Sequence, residues 1–152
     1  MVVASVLDPE VPVLTIEDLG ILRDVTLEEA GRVDVTITPT YSGCPAMDLI
    51  RHEVELTLRA LQVDGRVETV LSPAWTTDWM SEDGKAKLTE YGIAPPTGRR
   101  AVGGPVSVSL TIRCPLCGSP DTTELSHFGS TSCKSLWRCN SCREPFDHFK
   151  AL

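Results

Sequence analysis

No apolar run in this 152-residue chain approaches the roughly 18 residues that a membrane-spanning helix requires, which excludes a helical crossing of a bilayer. The opening, MVVASVLDPEVP, has neither the basic stretch nor the apolar core of a secretory signal, so the expected compartment is the cytoplasm. Clustered basic charge is missing as well: 14 Lys and Arg stand against 21 Asp and Glu, a net charge of -7. Residues 1–104 hold 9 basic against 17 acidic residues, and residues 105–152 hold 5 against 4. Affinity for nucleic acid grows from Lys and Arg set against phosphates, so no nucleic-acid partner is expected; an acidic surface suits a basic protein partner, or simply solubility. There is no glycine-rich dinucleotide fingerprint and no pair of Glu-x-x-His motifs of the di-iron helix type, which leaves neither chemistry a place to reside. Internal repeats and low-complexity tracts are also absent. The length allows one domain, or a domain of about 100 residues with a small appendage.

What is present has a clear order. ILRDVTLEE (21–29) and RVDVTITPT (32–40) read as strands, and in the second Val33, Val35 and Ile37 alternate with Asp34, Thr36 and Thr38, so one face is buried. EEAGR, with Gly31, is the turn between them. Met47, Ile50, Val54, Leu58 and Leu61 recur every three or four residues, which predicts an amphipathic helix with Pro45 in its first position and its start beside Cys44. GRVETVLSPAW (65–75) reads as a third strand. A shorter helix is expected in DWMSEDGKAKLTEYG (78–92), capped by Thr77 or Asp78 and stopped by Gly92. IAPPTGRRAVGGP (93–105), with three prolines and three glycines, resists regular structure and reads as a linker. In VSVSLTIRC, Val106, Val108, Leu110 and Ile112 alternate as a strand that delivers the chain to Cys114. The expected organisation is an α+β domain over 1–93, a linker over 94–105 and a four-cysteine β ribbon over 106–152.

Six cysteines stand out in a chain expected in reducing cytosol, where metal ligation or thiol chemistry is favoured over disulfides. Cys114 and Cys117 form CPLC, Cys139 and Cys142 form CNSC, and 21 residues separate the pairs. Two thiolates in one tight turn can approach a single ion, and two such turns complete the tetrahedron of a structural zinc site; iron suits the same four thiolates. About 40 residues bury too little apolar surface to be stable alone, so a metal contributing roughly 10–16 kcal/mol would dominate the folding of this module. Four thiolates leave no open coordination position, which makes the site structural rather than catalytic. Trp137, Phe146 and Phe149 are the expected small core of the ribbon. Cys133 is surplus: it reads as a small buried side chain, an alternative ligand or a redox partner. His127 and His148 suit surface or hydrogen-bonded roles better than ligation.

Cys44 stands alone, about 70 residues upstream of the others. At the mouth of a helix, unpaired N–H groups and the helix dipole favour the thiolate, making it a nucleophile or a soft-metal ligand; the alternative is a cap or a buried filler. With no His or Lys beside it as a base, metal or cluster handling suits it better than hydrolysis.

DPEVPVLTIEDLGILRDV (8–25) followed by VTITPTYSGCPAMDLI resembles the paired signature of the small iron-sulfur assembly domain of bacterial SufT-type factors and eukaryotic cytosolic iron-sulfur targeting factors, over about residues 2–93. Together with CPLCGS, FGSTSCKSLWRC and CREPFDHFK, the whole chain resembles a narrower family, the D subunits of the ring 1,2-phenylacetyl-CoA epoxidase. That resemblance implies a small two-layer fold joined to a zinc ribbon. It implies an accessory, non-catalytic role in aerobic phenylacetate breakdown, assisting assembly of a metal centre or iron-sulfur cluster. The partners implied are the other epoxidase subunits, the di-iron oxygenase or its flavin and iron-sulfur reductase, and a homodimer is compatible with it. Cys44 corresponds to the family's functional cysteine, carrying iron or a cluster transiently, and Asp8, Pro9 and Glu10 to its acidic loop, in which Asp8 and Glu10 serve as hard ligands, polar contacts or a cap. The competing readings are an adaptor that handles no metal, a zinc-ribbon nucleic-acid binder and a thiol enzyme.

Overall fold

The alternation of residues 33–37 is realised as a strand whose Val35 and Ile37 are wholly buried. In the computed structural model, which describes residues 2–29, 31–97 and 111–151, the chain divides into two compact units, 1–84 and 85–152. In the first unit, β1 (Leu22–Leu27) pairs antiparallel with β2 (Val33–Ile37). Gly31 makes the turn: at φ +80° it occupies the left-handed region, and its N–H donates to the Glu28 carbonyl at 2.8 Å.

The helix α1 (Ala46–Ala60) follows, burying Ala46, Met47, Ile50, Val54 and Leu58 along one stripe. Full burial of such side chains contributes roughly 1.5–3 kcal/mol each, and this holds the helix on the sheet. Pro45 lies one position outside the expected place, as the N-cap. Leu61, expected on the stripe, is 48% exposed because the helix has already ended. Gln62 adopts φ 56°, its N–H donates to Arg59 and that of Val63 to Leu58, the paired bonds of a Schellman stop. β3 (Gly65–Thr69) then pairs parallel with β2, the register that needs a crossover as long as α1. It is shorter than the sequence suggests.

The N-terminal segment is held by its own carboxylates. After a 3-10 turn over Val2–Ser5, the buried Asp8 accepts the N–H groups of Glu10 and Val11 at Oδ1, at 2.9 and 2.7 Å, which fixes the loop 8–11. Leu14, Ile16, Leu19 and Ile21 beneath it are essentially inaccessible. Gly20, at φ +69°, packs against Trp79: a Cβ there would stand 2.5 Å from the Trp79 carbonyl oxygen.

The second helix, α2 (Glu82–Glu90), starts later than the sequence suggests. Thr77 and Asp78 belong to a separate 3-10 turn, Thr77–Trp79, capped by Thr76. The residue in front of α2 is Ser81, whose Oγ accepts the Gly84 N–H at 2.9 Å and donates to Asp18 at 3.2 Å. A tertiary partner, Asp18, selected the cap. Gly92, at φ +89°, follows the helix as expected.

In the second unit, β4 (Ile93–Ala94), β5 (Thr122–Ser126), β6 (Lys134–Cys139) and β7 (Pro145–Phe149) form one sheet in the order β4-β7-β6-β5. The pair β4 and β7 is parallel and the others are antiparallel. Ile93 and Ala94 therefore belong to the ribbon's sheet, and the units divide at 84/85, not at 93. Ala94, Ile112 and Phe146 form the core with Cys114 and Cys139, and Trp137 packs against it half-buried; Phe149 is buried too. The strand expected from Val106 lies outside the described residues as far as Leu110, and Thr111 and Ile112 carry no strand. So does the linker from residue 98 on. Among the described residues no helix is long and apolar enough to cross a membrane.

Candidate metal centre and thiol site

The two CxxC turns of the ribbon repeat one backbone pattern. The Gly118 N–H donates to the Cys114 carbonyl at 2.9 Å and the Cys114 N–H to Ser119 at 3.0 Å. Likewise the Arg143 N–H donates to Cys139 at 3.1 Å and the Cys139 N–H to Glu144 at 3.0 Å. The fourth residue after each first cysteine is left-handed, Gly118 at φ 74° and Arg143 at φ 71°. Arginine disguises the repeat in the sequence. The hydroxyls of Ser119 and Ser141 meet at 2.8 Å between the turns.

This folding brings the Sγ atoms of Cys114, Cys117, Cys139 and Cys142 within 4.8 Å of one another. Cys114 lies 3.8 Å from Cys142 and Cys117 3.5 Å from Cys139. Zn–S bonds of about 2.3 Å in a tetrahedron set sulfurs about 3.8 Å apart, so the residues fit a thiolate-bound metal ion. Their proton affinities are spread by crowding. The Cys142 N–H, 3.4 Å from the Cys139 sulfur, is foremost in lowering that thiol to about 6. The Glu144 N–H favours the Cys142 thiolate, yet burial and the neighbouring sulfurs push that thiol up to about 12. Sulfurs held this close crowd one another as thiolates, and a cation between them relieves the repulsion.

Cys133 stands apart from this group, buried with its sulfur 3.1 Å from the Thr131 hydroxyl. His127 is exposed, its Nδ1 3.2 Å from Glu124. These two have Glu-x-x-His spacing, but they lie at the end of β5 and not on a helix. His148 is buried, with Nδ1 3.2 Å from the Ser135 hydroxyl. Burial lowers its pKa to about 4.

Cys44 sits before α1, where its carbonyl accepts the Met47 N–H at 3.3 Å. The expectation that the helix mouth keeps its sulfur ionised is overturned. The Ala46 N–H and the Thr40 hydroxyl favour the thiolate, but partial burial, the largest influence, joined by the nearby carboxylates pushes the thiol above its ordinary value. Glu10 and then Asp8 push it further in the same direction. The loop 8–10 and the thiol thus share one electrostatic site, which adds Thr40 to the residues that the sequence singled out. The six cysteines, all among the described residues, form no disulfide.

Residues 2–70 match the iron-sulfur cluster assembly protein family, and residues 100–150 match the PaaD zinc beta ribbon domain. An Escherichia coli (strain K12) protein, provisionally placed by its name among the D subunits of 1,2-phenylacetyl-CoA epoxidase, is 49% identical over 95% of this chain and 86% of its own length. An Fe-S protein maturation auxiliary factor of Porphyromonas gingivalis is 36% identical over 55% of this chain and 81% of its own. In a crystal structure, the domain of unknown function DUF59 from Bacillus anthracis superposes with a TM-score of 0.52 and 32% identity, covering 57% of this chain and 83% of that one. Two-part make-up and near full-length identity agree: the chain belongs to the family of D subunits of 1,2-phenylacetyl-CoA epoxidase.

Proposed function

We propose that the chain is a non-catalytic accessory subunit of a cytoplasmic ring 1,2-phenylacetyl-CoA epoxidase. In this reading it assists assembly of a metal centre or iron-sulfur cluster in that complex, with Cys44 as transient ligand. The observation that carries the reading is a half-buried thiol under the charge of Glu10 and Asp8, in a unit that matches the iron-sulfur cluster assembly family. A raised thiol pKa suits a quiet acceptor better than a free nucleophile. The carboxylates that hold the proton on the sulfur also attract a cation, and a bound cation inverts their effect by expelling that proton. Iron, as an ion or a cluster, is cargo in this account and not a resident cofactor.

In the ribbon, Cys114, Cys117, Cys139 and Cys142 would hold zinc as a structural ion. Zinc there supplies charge neutralisation and folding energy, while the backbone N–H groups of the two turns orient the thiolates. The test is alkylation of Cys44 in the zinc-loaded chain under anaerobic conditions with and without Fe²⁺. Protection by Fe²⁺ that disappears in Glu10→Gln supports the reading; alkylation indifferent to Fe²⁺ contradicts it.

A second reading is favoured by the same partial burial: an adaptor that stabilises the oxygenase by contact and handles no metal. It predicts that Cys44→Ser is harmless while loss of the ribbon abolishes co-purification with the oxygenase.

A further inference from the structure

A groove of about 410 Å³ runs between the 3-10 turn Val2–Ser5 and α1, lined by Val2, Val6, Leu7, Pro9, Leu49 and Glu53 among others. Three of these are large apolar side chains left in water: Val2 is 54% exposed, Leu7 52% and Leu49 48%. Leu56, two helical turns on from Leu49, continues the same stripe along the flank of α1 and is exposed too. Apolar side chains scattered singly need no explanation, but a set gathered into one concave strip marks a contact surface.

Two observations say what covers it. Pro9 lines the groove, and the charges of its neighbours Glu10 and Asp8 are felt at the Cys44 thiol, so the groove adjoins the loop that carries them. The second is charge. Among the described residues Glu53 is the charged residue in the lining, with no Lys or Arg beside it, and Arg51 and Arg59 lie elsewhere on α1, Arg51 donating to Thr69 and Arg59 facing Glu55. Residues 1–84 carry 5 Arg and Lys against 16 Asp and Glu, a net charge of -11. A second copy of this chain would bring a like-charged surface to the groove, whereas a basic segment is attracted to it.

We propose that the groove beside the Asp8–Glu10 loop is the docking site of the client protein, and that it takes an apolar segment flanked by Lys or Arg. Binding there would set the client beside Cys44. The inference rests on the proposed maturation role and deepens it by naming the surface through which the client is held.

The test uses the full chain, tagged and produced together with the epoxidase subunits, and reads two quantities: the epoxidase subunits that co-purify and the iron they contain. Leu49→Glu and Leu7→Glu, both at exposed positions, are expected to reduce co-purification at least tenfold with an unchanged circular dichroism spectrum. Cys44→Ser is expected to co-purify as the wild type does. A photo-crosslinking residue in place of Leu56 is expected to label a client peptide that contains Lys or Arg. Wild-type co-purification by both folded glutamate variants overturns the docking proposal and leaves the role of the thiol to the iron content of the Cys44→Ser sample. A wild-type dimer that Leu49→Glu converts to a monomer assigns the groove to a second copy and overturns it as well. If Cys44→Ser leaves iron unchanged while the glutamate variants still lose the client, the maturation reading fails and the docking surface stands.

Discussion

The carboxylate of Glu10 raises the proton affinity of the Cys44 thiol from a loop more than thirty residues away in sequence. Its effect adds to that of partial burial and opposes the Ala46 N–H and the Thr40 hydroxyl. The site is thereby tuned against spontaneous ionisation.

Cys44 should therefore react slowly with iodoacetamide at neutral pH, and its rate should rise only through the alkaline range. Removing the charge by Glu10→Gln lowers the thiol pKa, so the rate at pH 8 should increase. A rate profile with its midpoint below pH 8 in the wild type would contradict the burial argument.

Metal removal should unfold the ribbon and spare the first unit. A chelator or Cys139→Ser is expected to abolish the thermal transition of residues 85–152, because binding free energy of roughly 10–16 kcal/mol is folding free energy in such modules. The helical circular dichroism of α1 should persist. Elemental analysis should give one zinc per chain, and a metal-free ribbon with full protection of its amides from hydrogen exchange would refute the structural role.

Much of this arrangement could be read from residue order. The stripe Met47, Ile50, Val54, Leu58 fixes the face of α1, and the two CxxC turns announce their own convergence, because both signals are local and periodic. What escaped depends on distant partners. Ser81 caps α2 because Asp18 is there to accept its hydroxyl, and Ile93 and Ala94 join the ribbon because β7 offers an edge. The helix-mouth argument at Cys44 named a real favourable contact, the Ala46 N–H, but it had no access to the burial that outweighs it. Aromatic residues were legible as core at Phe146 and Phe149, less so at the half-buried Trp137, whose indole N–H donates to the buried Ser135 hydroxyl at 2.9 Å.

The ribbon should weaken in mild acid through His148. Burial lowers its folded pKa from 6.5 to about 4, so the folded and unfolded states bind equal protons above that range, and the unfolded chain takes up the extra proton as pH falls. Stability is thus present above pH 6.5 and is lost between about 6.5 and 4, by about 1 kcal/mol at pH 5.5. Urea unfolding of a cobalt-loaded ribbon, followed by its visible absorbance, should show that increment in the wild type and not in His148→Phe. Equal pH slopes would remove the histidine from the account.

Gly20→Ala should destabilise the first unit by about 2–4 kcal/mol, since it adds a Cβ to a left-handed residue and drives it into the Trp79 backbone. The neighbouring Trp75 indole, which donates to the Leu19 carbonyl at 2.9 Å, should become more mobile and shift its fluorescence. An unchanged melting temperature would show that the Gly20 to Trp79 contact relaxes freely.

The central claim is that the sulfur of Cys44 handles metal for a client, and the iron content of the epoxidase isolated from cells carrying Cys44→Ser tests it most directly. The account predicts that iron per oxygenase falls severalfold while the variant chain remains folded, zinc-loaded and associated with its partner. Iron at the wild-type level in that sample would contradict it.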